Sequence, residues 1–187
     1  MRIVELPMDG VFLLEMEPHE DERGSFARCF CSSTLMRLGI RTRIAQANLS
    51  RSSSRHTLRG LHYQHAPFEE TKIVQCVAGR IYDVVLDLRP SSPTFSTWFS
   101  AEISADDGRI MVVPEGCAHG FMTLEDDSVV HYLVSAAYSP LHEDGVRHDD
   151  PAFAIRWPAE PACISPRDRR HPLFDLDRQL SKVSVPA

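Results

Sequence analysis

Short runs of β-branched and aromatic residues, separated by turn residues about every ten positions, constrain the fold of this chain more than any other feature. The pattern is clearest over 58–89, where two runs rich in Val and Ile are separated by the turn dipeptide Ala78-Gly79. Further runs of this kind occupy 97–103, 110–113, 122–124 and 129–135. Helical patterns are confined to 33–39 and, near the C-terminus, to 176–180. This spacing predicts an all-β sandwich or barrel and disfavours a βαβ fold.

The composition limits both the size of the fold and the class of partner. A chain of 187 residues with 43% hydrophobic residues fits one globular domain over 1–187. Its net charge of -6 argues against a nucleic-acid binder, which normally carries a basic excess. Charged residues and Pro7 interrupt the N-terminal apolar runs before they reach the length of a signal peptide or membrane span, so we expect a cytoplasmic protein with no membrane partner. The five cysteines form no CxxC pair, which argues against a disulfide framework or thiolate zinc site.

Three polar residues lie at positions where the strand pattern would otherwise place apolar side chains. Arg59, His62 and Lys72 all fall within the segment 58–89. Each has a structural interpretation when taken singly, because a histidine in a strand is often a satisfied structural residue and a lysine can lie at a solvent edge. Their combination with a second histidine, His119, in a glycine-containing segment favours a functional site instead. The hypothesis from these residues is a cationic, proton-transferring site on a sheet.

The histidines also raise the question of a bound metal. Imidazole ligation usually takes two or three histidines with a carboxylate at close spacing on neighbouring strands. His62 and His65 are three residues apart, so a regular strand directs them to opposite faces and leaves Gln64 on the face of His62. We therefore predict a site without metal. A metal-dependent oxygenase or isomerase that uses these two histidines and His119 stays open as an alternative of another class.

Several motifs resemble, in the same order, those of the dTDP-4-dehydrorhamnose 3,5-epimerase family. The segments are RGLHYQ, TKIVQCVAGRIYDVVLDLR, SPTF, VPEGCAHGF, the strand of Tyr132, HDDPAFAIRWP and SPRD. The resemblance covers about 21–168 and implies an all-β, cupin-type jelly-roll barrel or sandwich with a few short, mainly C-terminal helices. It also implies an isomerase that works without a cofactor or metal. The segment PEGCAHGF resembles the second cupin motif, whereas the histidine pair of the first metal-binding motif is absent.

The resemblance implies a reaction and four catalytic roles. The reaction is epimerisation at C3 and/or C5 of a nucleotide-diphosphate-linked 4-keto-6-deoxyhexose, whose protons beside the ketone are acidic. His62 matches the family's base, and Asp168 matches the carboxylate that orients it and stabilises the imidazolium. Lys72 matches the residue that stabilises the enolate oxygen. Tyr132 matches the acid that returns the proton from the opposite face, although core packing beside Val130 is its default interpretation.

The resemblance also implies a substrate pocket shared between two subunits. The residues that match the nucleotide-sugar pocket are Arg23, Phe26, Gln46, Asn48, Arg59, His119 and Tyr138. Arginine suits a diphosphate because its planar fork makes bidentate bonds, and an aromatic ring can stack on a pyrimidine. The first of these residues come from the neighbouring subunit in the family, so we expect a homodimer with exchanged N-terminal strands.

Arg28 departs from the family pattern. The pattern predicts a strand over 25–31, and Arg28 stands there where the thymidine enzymes usually carry a glutamate. A guanidinium cannot accept a hydrogen bond from the base, so a CDP- or GDP-linked sugar stays open, as does inversion of a single centre. A non-catalytic sugar-nucleotide-binding protein is a further alternative. The family implies nucleotide-sugar biosynthesis, such as that of dTDP-rhamnose for lipopolysaccharide.

Overall fold

The computed structural model describes residues 1–40 and 43–183, and strands dominate it. The strands are β1 (Arg2–Met8), β2 (Val11–Glu15), β3 (His19–Asp21), β4 (Gly24–Phe26), β5 (Gln46–Ser52), β6 (Thr57–Gln64), β7 (Lys72–Ala78), β8 (Arg80–Asp87), β9 (Trp98–Ser104), β10 (Arg109–Val113), β11 (Cys117–Thr123), β12 (Ser128–Val134), β13 (Glu143–Gly145) and β14 (Cys163–Ile164). The helices are α1 (Ser32–Arg37), α2 (Pro166–Arg169) and α3 (Leu176–Val183). None of the helices in the described ranges has the length and apolar character needed to cross a membrane.

The strands form two large sheets and one separate hairpin. The first sheet has the order β1-β2-β10-β7-β12-β5, and the second has the order β13-β6-β11-β8-β9, with β14 parallel to β6. The hairpin consists of β3 and β4. From β5 to β13, successive strands alternate between the two sheets except at the β8–β9 hairpin. This alternation is typical of a jelly roll, which confirms the all-β fold class expected from the sequence.

The main core lies between the two sheets. Val74 and Met111 of the first sheet cluster there with Val85 and Phe121 of the second, all at most 5% exposed. Burial of a side chain of this size stabilises the fold by about 1.5–3 kcal/mol relative to exposure. The sheets therefore hold together through side chains that the sequence presents as β-branched and aromatic runs.

The outer face of each sheet is covered as well. Leu35 of α1 packs against Ile73 and its neighbours on the first sheet. On the second sheet, Phe153 and Phe174 from the C-terminal segment pack over Leu86. Strands buried on both faces explain why the sequence has continuous apolar runs rather than strict alternation.

Two local features differ from the sequence-based expectation. The strand predicted over 25–31 is wrong beyond Phe26, because 27–31 has no regular structure and leads directly into α1. The short elements β13, β14 and α2 were not predicted, since two to four residues carry too little periodicity to be recognised. All three of these short elements lie beside the candidate site.

Candidate active site

A histidine and a carboxylate from distant parts of the chain meet at the centre of the site. His62 lies on β6, and its Nε2 is 2.8 Å from Oδ1 of Asp168 on α2. Asp168 is 4% exposed, whereas the side chain of His62 is 31% exposed. An ionised carboxylate can only accept, so Nε2 carries the hydrogen in the neutral ring and Nδ1 is the basic nitrogen. The pair is thus an oriented base.

The short helix α2 brings Asp168 to the histidine. Ser165 caps this helix by accepting a hydrogen bond from the backbone N–H of Asp168 at 3.0 Å, and Pro166 occupies the first turn. Immediately before the cap, Ile164 of β14 pairs with Leu58 of β6. The strand that carries the base therefore also anchors the segment that carries its carboxylate.

Gly60 allows the strands to approach closely at this point. It has a φ of +105°, and a Cβ built there would lie 2.7 Å from the backbone oxygen of His119. Its N–H donates to Oδ2 of Asp168 at 3.2 Å. Burial by itself would raise the pKa of Asp168, but the hydrogen bonds from His62 and Gly60 hold it below its ordinary value. Asp168 is therefore a carboxylate near neutral pH.

Lys72 places a cation next to the base. It is 7% exposed, and its Nζ donates to the backbone oxygen of His62 at 3.1 Å. The same ammonium lies 3.2 Å from Oε1 of Glu70, whose side chain is 12% exposed. These two partners satisfy and orient a buried charge that would otherwise be costly.

Tyr132 lies on β12, with its ring partly buried against the core. Burial and, to a lesser extent, the charge of Glu70 raise the pKa of the Tyr132 phenol above its ordinary value. The phenol is therefore protonated near neutral pH and can act as a hydrogen-bond donor or acid.

All four predicted catalytic residues line one cavity of about 580 Å³. This volume is in the usual range for small-molecule sites. The polar side chains that line it are Ser50, Thr57, Arg59, His62, Lys72, His119, Tyr132, Ser165, Arg167 and Asp168. The two predicted binding residues Arg59 and His119 are in this set. The cavity joins base, acid and cations, and cations outnumber carboxylates among its charged side chains.

A second histidine–carboxylate pair lies beside the first. Nε2 of His119 on β11 is 2.7 Å from Oδ1 of Asp83, which is fully buried on β8. His119 pairs with His62 across the β6–β11 ladder. Asp83 therefore fixes the orientation of His119, and it leaves the other ring nitrogen of His119 for an additional contact.

Two arginines give the cavity its positive charge at the entrance. Arg59 is oriented by Ser52 Oγ at 3.1 Å and by the backbone oxygen of Arg51 at 3.0 Å, and it forms no ion pair with any described residue. Arg167 donates to Glu143 at 2.5 Å. The guanidinium of Arg59 is thus available to an anion.

Three other predicted binding residues line an adjoining cavity of about 390 Å³. These residues are Gln46, Asn48 and Tyr138. The adjoining cavity shares His62, Lys72 and Tyr132 with the first, so the two form one continuous surface. Tyr138 is 52% exposed, and its hydroxyl donates to Glu143 at 2.6 Å. An aromatic ring is thus held at the rim.

Within one chain, the remaining predicted residues lie away from both cavities. Arg23 is at the tip of the β3–β4 hairpin, where its side chain is 84% exposed and pairs with Asp21. Phe26 is 68% exposed. Phe26 and Arg28 line a different cavity with Cys31 of the segment before α1. One chain therefore does not bring Arg23, Phe26 or Arg28 to His62.

Comparisons with known proteins identify the family. A family model described as dTDP-4-dehydrorhamnose 3,5-epimerase matches residues 5–175. The chain belongs to this family. An epimerase of this name from Sinorhizobium fredii is 39% identical over 96% of the chain and 93% of the relative. A dTDP-4-dehydrorhamnose 3-epimerase from Streptomyces niveus is 38% identical over 90% of the chain and 82% of the relative.

A solved structure of a family member also agrees with the fold. The crystal structure of the dTDP-4-dehydrorhamnose 3,5-epimerase from Bacillus anthracis, with TDP and PPi bound, has a TM-score of 0.90 and is 40% identical. The match covers 92% of this chain and 99% of that structure. The resemblance drawn from the sequence motifs is confirmed.

His62 and His119 are neighbours across the β6–β11 ladder, but with His65 they form no cluster of metal-ligand atoms among the described residues. The Nδ1 of His65 lies 3.3 Å from the backbone oxygen of Ala66, and its ring lies 5.2 Å from that of His142. His119 pairs with Asp83 instead. In the part of the chain that the structure describes, the one cluster with closely spaced metal-ligand atoms is His62, Asp168 and His171.

Several residues of this epimerase-family site were not predicted from the sequence. They are Gly60, Glu70, Asp83, Glu143, Ser165, Arg167 and His171. The Ser-Pro-x-Asp pattern of 165–168 is a helix start signal that could have indicated Ser165 as the cap of Asp168. The contacts of Gly60 and Asp83 join residues far apart in sequence and leave no local pattern, whereas Glu70 is only two residues from Lys72 but lies in a segment without regular structure.

Proposed function

We propose that this protein epimerises a dTDP-linked 4-keto-6-deoxyhexose at C3 and C5 by proton abstraction and return through an enolate. The observation that carries this proposal is the 2.8 Å bond between His62 and Asp168 in a cavity that also contains Lys72 and Tyr132. Family membership supports the same reaction, because the Sinorhizobium fredii and Bacillus anthracis proteins carry this epimerase name.

His62 is the proposed base. Its Nδ1 takes the proton from the carbon beside the ketone, and the resulting imidazolium stays paired with the Asp168 carboxylate. Because the pKa of Asp168 is lowered, the carboxylate keeps its charge and does not take the proton itself. The pair thus stabilises the charged form of the base as the substrate loses its proton.

Lys72 and Tyr132 complete the proposed reaction. As the proton leaves, negative charge moves from carbon to the ketone oxygen, and the buried Lys72 ammonium next to His62 stabilises that charge. Tyr132 then donates its phenolic proton to the opposite face of the enolate carbon. Its raised pKa keeps this proton available at neutral pH, and return from the other face inverts the centre.

The diphosphate is the proposed partner of the arginines at the entrance. Arg59 is oriented by backbone and hydroxyl groups without a paired acid in the described residues, which leaves its fork for phosphate oxygens. His119, Gln46, Asn48 and Tyr138 line the same continuous surface and are proposed to contact the sugar and nucleotide.

We also infer that Arg23, Phe26 and Arg28 serve the cavity of a second subunit in a homodimer. In the described part of the chain, the β3–β4 hairpin pairs with no other strand and exposes Phe26, and the edge strand β5 beside the cavity exposes Leu49. Exposed apolar side chains and a free edge favour association of two copies. Exchange of N-terminal strands would then bring Arg23 to the partner's diphosphate.

The dimer proposal can be tested by complementation. Inactive Arg23→Ala and His62→Ala dimers are dissociated and mixed. If Arg23 acts across the interface, each heterodimer regains one intact site, and randomly mixed dimers recover about a quarter of the wild-type activity. Recovery near zero, with heterodimers verified by mass spectrometry, would show that Arg23 acts within its own chain, and an active Arg23→Ala homodimer would show that Arg23 is not needed.

The reaction is tested by solvent exchange. The dTDP-linked 4-keto-6-deoxyhexose is incubated with enzyme in D₂O, and deuterium at C3 and C5 is measured by NMR. Wild type should exchange both positions and His62→Ala neither. His65→Ala is the matched control, since His65 lines neither cavity, and it should exchange normally. An absence of exchange with dTDP-, CDP- and GDP-linked sugars alike would overturn the proposal and favour a binding protein.

Inversion of one centre is a second candidate, because identity to the Streptomyces niveus 3-epimerase is nearly as high as to the 3,5-epimerases. Deuterium at C3 alone would establish it. The nucleotide is tested with a thermal-shift panel of dTDP, CDP, GDP and UDP, in which the cognate ligand raises the melting temperature most. We expect dTDP to give the largest rise. A larger rise with GDP or CDP would instead indicate that Arg28, which stands where the thymidine enzymes usually carry a glutamate, selects the nucleobase.

We place the enzyme in the cytoplasm and treat 1–187 as one domain. The support for the compartment is that all five cysteines are free thiols, as is usual in a reducing environment. Cell fractionation tests the compartment.

A further inference from the structure

His171 lies beside the proposed catalytic pair without a role in the proposed reaction. Its ring centroid is 6.0 Å from that of His62, and its Nε2 is buried without a hydrogen-bond partner in the described residues. A side chain at position 145 would overlap this ring, so Gly145, which pairs with His62 across β6 and β13, leaves the space that His171 occupies. A buried ring nitrogen without a partner is costly, and a ligand bound between His171 and its neighbours His62 and Asp168 would satisfy it.

The three side chains together offer the ligand set of a zinc site. The candidate ligand atoms of His62, Asp168 and His171 all lie within 4.8 Å of one another. Zinc bonds to nitrogen and oxygen are about 2.0–2.2 Å long, which puts tetrahedral ligands about 3.4 Å apart. The 2.8 Å separation between His62 and Asp168 needs a slight opening, and the ligand atom of His171, at most 4.8 Å from the other two, needs to approach by no more than about 1.4 Å. Two imidazoles and one carboxylate leave the fourth position to water from the cavity.

We propose that His62, Asp168 and His171 form a Zn²⁺ site whose occupation blocks catalysis. Zinc bound at Nε2 of His62 leaves the ring hydrogen on Nδ1, the nitrogen that takes the substrate proton, so the two uses exclude each other. The blocking effect rests on the proposed function, whereas the metal site itself does not. Removal of zinc by a chelator would restore the base.

Binding is measured directly on the whole protein, without a sugar substrate. Zn²⁺ is titrated into metal-free enzyme in competition with a chromophoric chelator. Wild type should bind one Zn²⁺ that His171→Ala binds at least about 10- to 100-fold more weakly, which is the loss typical even of an outer-shell partner. His171→Gln keeps most of the side-chain volume and should show the same loss of zinc affinity. It therefore tests the site even if the alanine variant does not fold.

His148→Ala is the matched control. His148 also has a buried ring nitrogen without a hydrogen-bond partner among the described residues, but it does not belong to the cluster. Its substitution should leave zinc affinity unchanged. Equal zinc affinity in wild type and both His171 variants, or no binding by wild type, would overturn the site. Any zinc binding by the exposed cysteines is the same in wild type and in all these variants, so it does not affect the comparison.

The blocking effect is read from deuterium exchange at increasing Zn²⁺. Exchange by wild type should fall in proportion to zinc occupancy and recover with chelator, while His171→Ala should need at least about ten times more zinc for the same fractional loss. Full exchange at full zinc occupancy would overturn the blocking effect. Absence of exchange in metal-free wild type would instead contradict the proposed function, and the titration would still test the site.

Discussion

Replacement of Asp168 by Asn is the most direct test of the proposed base. The substitution keeps the shape of the side chain but removes the charge that lies 2.8 Å from Nε2 of His62. Two unit charges about 4 Å apart interact by about 4 kcal/mol at an effective dielectric constant near 20. Because the His62 side chain is 31% exposed, we reduce this to about 3 kcal/mol. At 1.36 kcal/mol for each factor of ten, Asp168→Asn should slow proton abstraction about 100-fold.

A second effect acts in the same direction. The amide of Asn can donate to Nε2 of His62, which moves the ring hydrogen to Nδ1 and removes the basic nitrogen. The loss of about 100-fold is therefore a lower bound, and a related substitution in a serine protease costs about 10⁴. The assay is the initial rate of deuterium incorporation at C3 and C5 with saturating substrate.

Asp83→Asn provides the matched control for this prediction. Nε2 of His119 lies 2.7 Å from Oδ1 of Asp83, nearly the same separation as between His62 and Asp168, and His119 lines the same cavity. His119 is proposed to bind substrate rather than to take a proton. Its substitution should raise KM and leave the exchange rate at saturation within about threefold, as expected for a loss of binding alone. An exchange rate of Asp168→Asn within threefold of wild type, or equal losses in both variants, would refute the assignment of the base.

Three further predictions follow from other contacts. Tyr132→Phe should still permit deuterium exchange but impair net inversion, and equal loss of both would contradict separate roles for His62 and Tyr132; NMR of the product distinguishes these outcomes. Gly60→Ala should lower the free energy of unfolding by about 2–3 kcal/mol, because its methyl group would meet the backbone of His119 and its φ would stay positive. A urea denaturation midpoint equal to that of wild type would contradict this close approach. Burial acts to raise the pKa of Asp87, but hydrogen bonds from Arg89 and two hydroxyls lower it to about 2. The stability contributed by Asp87 should therefore be complete above its ordinary pKa of 3.8 and be lost as the pH falls towards 2, and Asp87→Asn should flatten the pH dependence of unfolding in that window.

Most long strands could be predicted from the sequence. The N-terminal apolar runs correspond to β1 and β2, and the runs at 97–103, 110–113 and 129–135 correspond to β9, β10 and β12. The helix predicted over 33–39 corresponds to α1 at Ser32–Arg37, and the C-terminal one begins at Leu176 as predicted. The strand expected over 25–31 failed because Cys29 and Phe30 resemble strand residues, whereas the chain there turns towards α1. Tertiary contacts outweighed local propensity in that segment.

The candidate site was predictable only in part. His62, Lys72, Tyr132 and Asp168 were named from motifs, and the structure brings all four to one cavity. The carboxylate partners of Lys72 and His119 needed the tertiary structure, because Glu70 lies in a segment without regular structure and Asp83 is 36 residues from His119.

The sequence by itself determined the all-β character of this protein and its family, because strand periodicity and motif order are properties of neighbouring residues along the chain. The tertiary structure alone decided which groups touch. Asp168 is 106 residues from His62 and 4% exposed. The hydrogen bond from His62 that stabilises its charge forms only when β14 pairs with β6. His171 reaches the same point because Gly145 leaves room for its ring. Contacts of this kind depend on the packing of distant segments, which residue order alone does not specify.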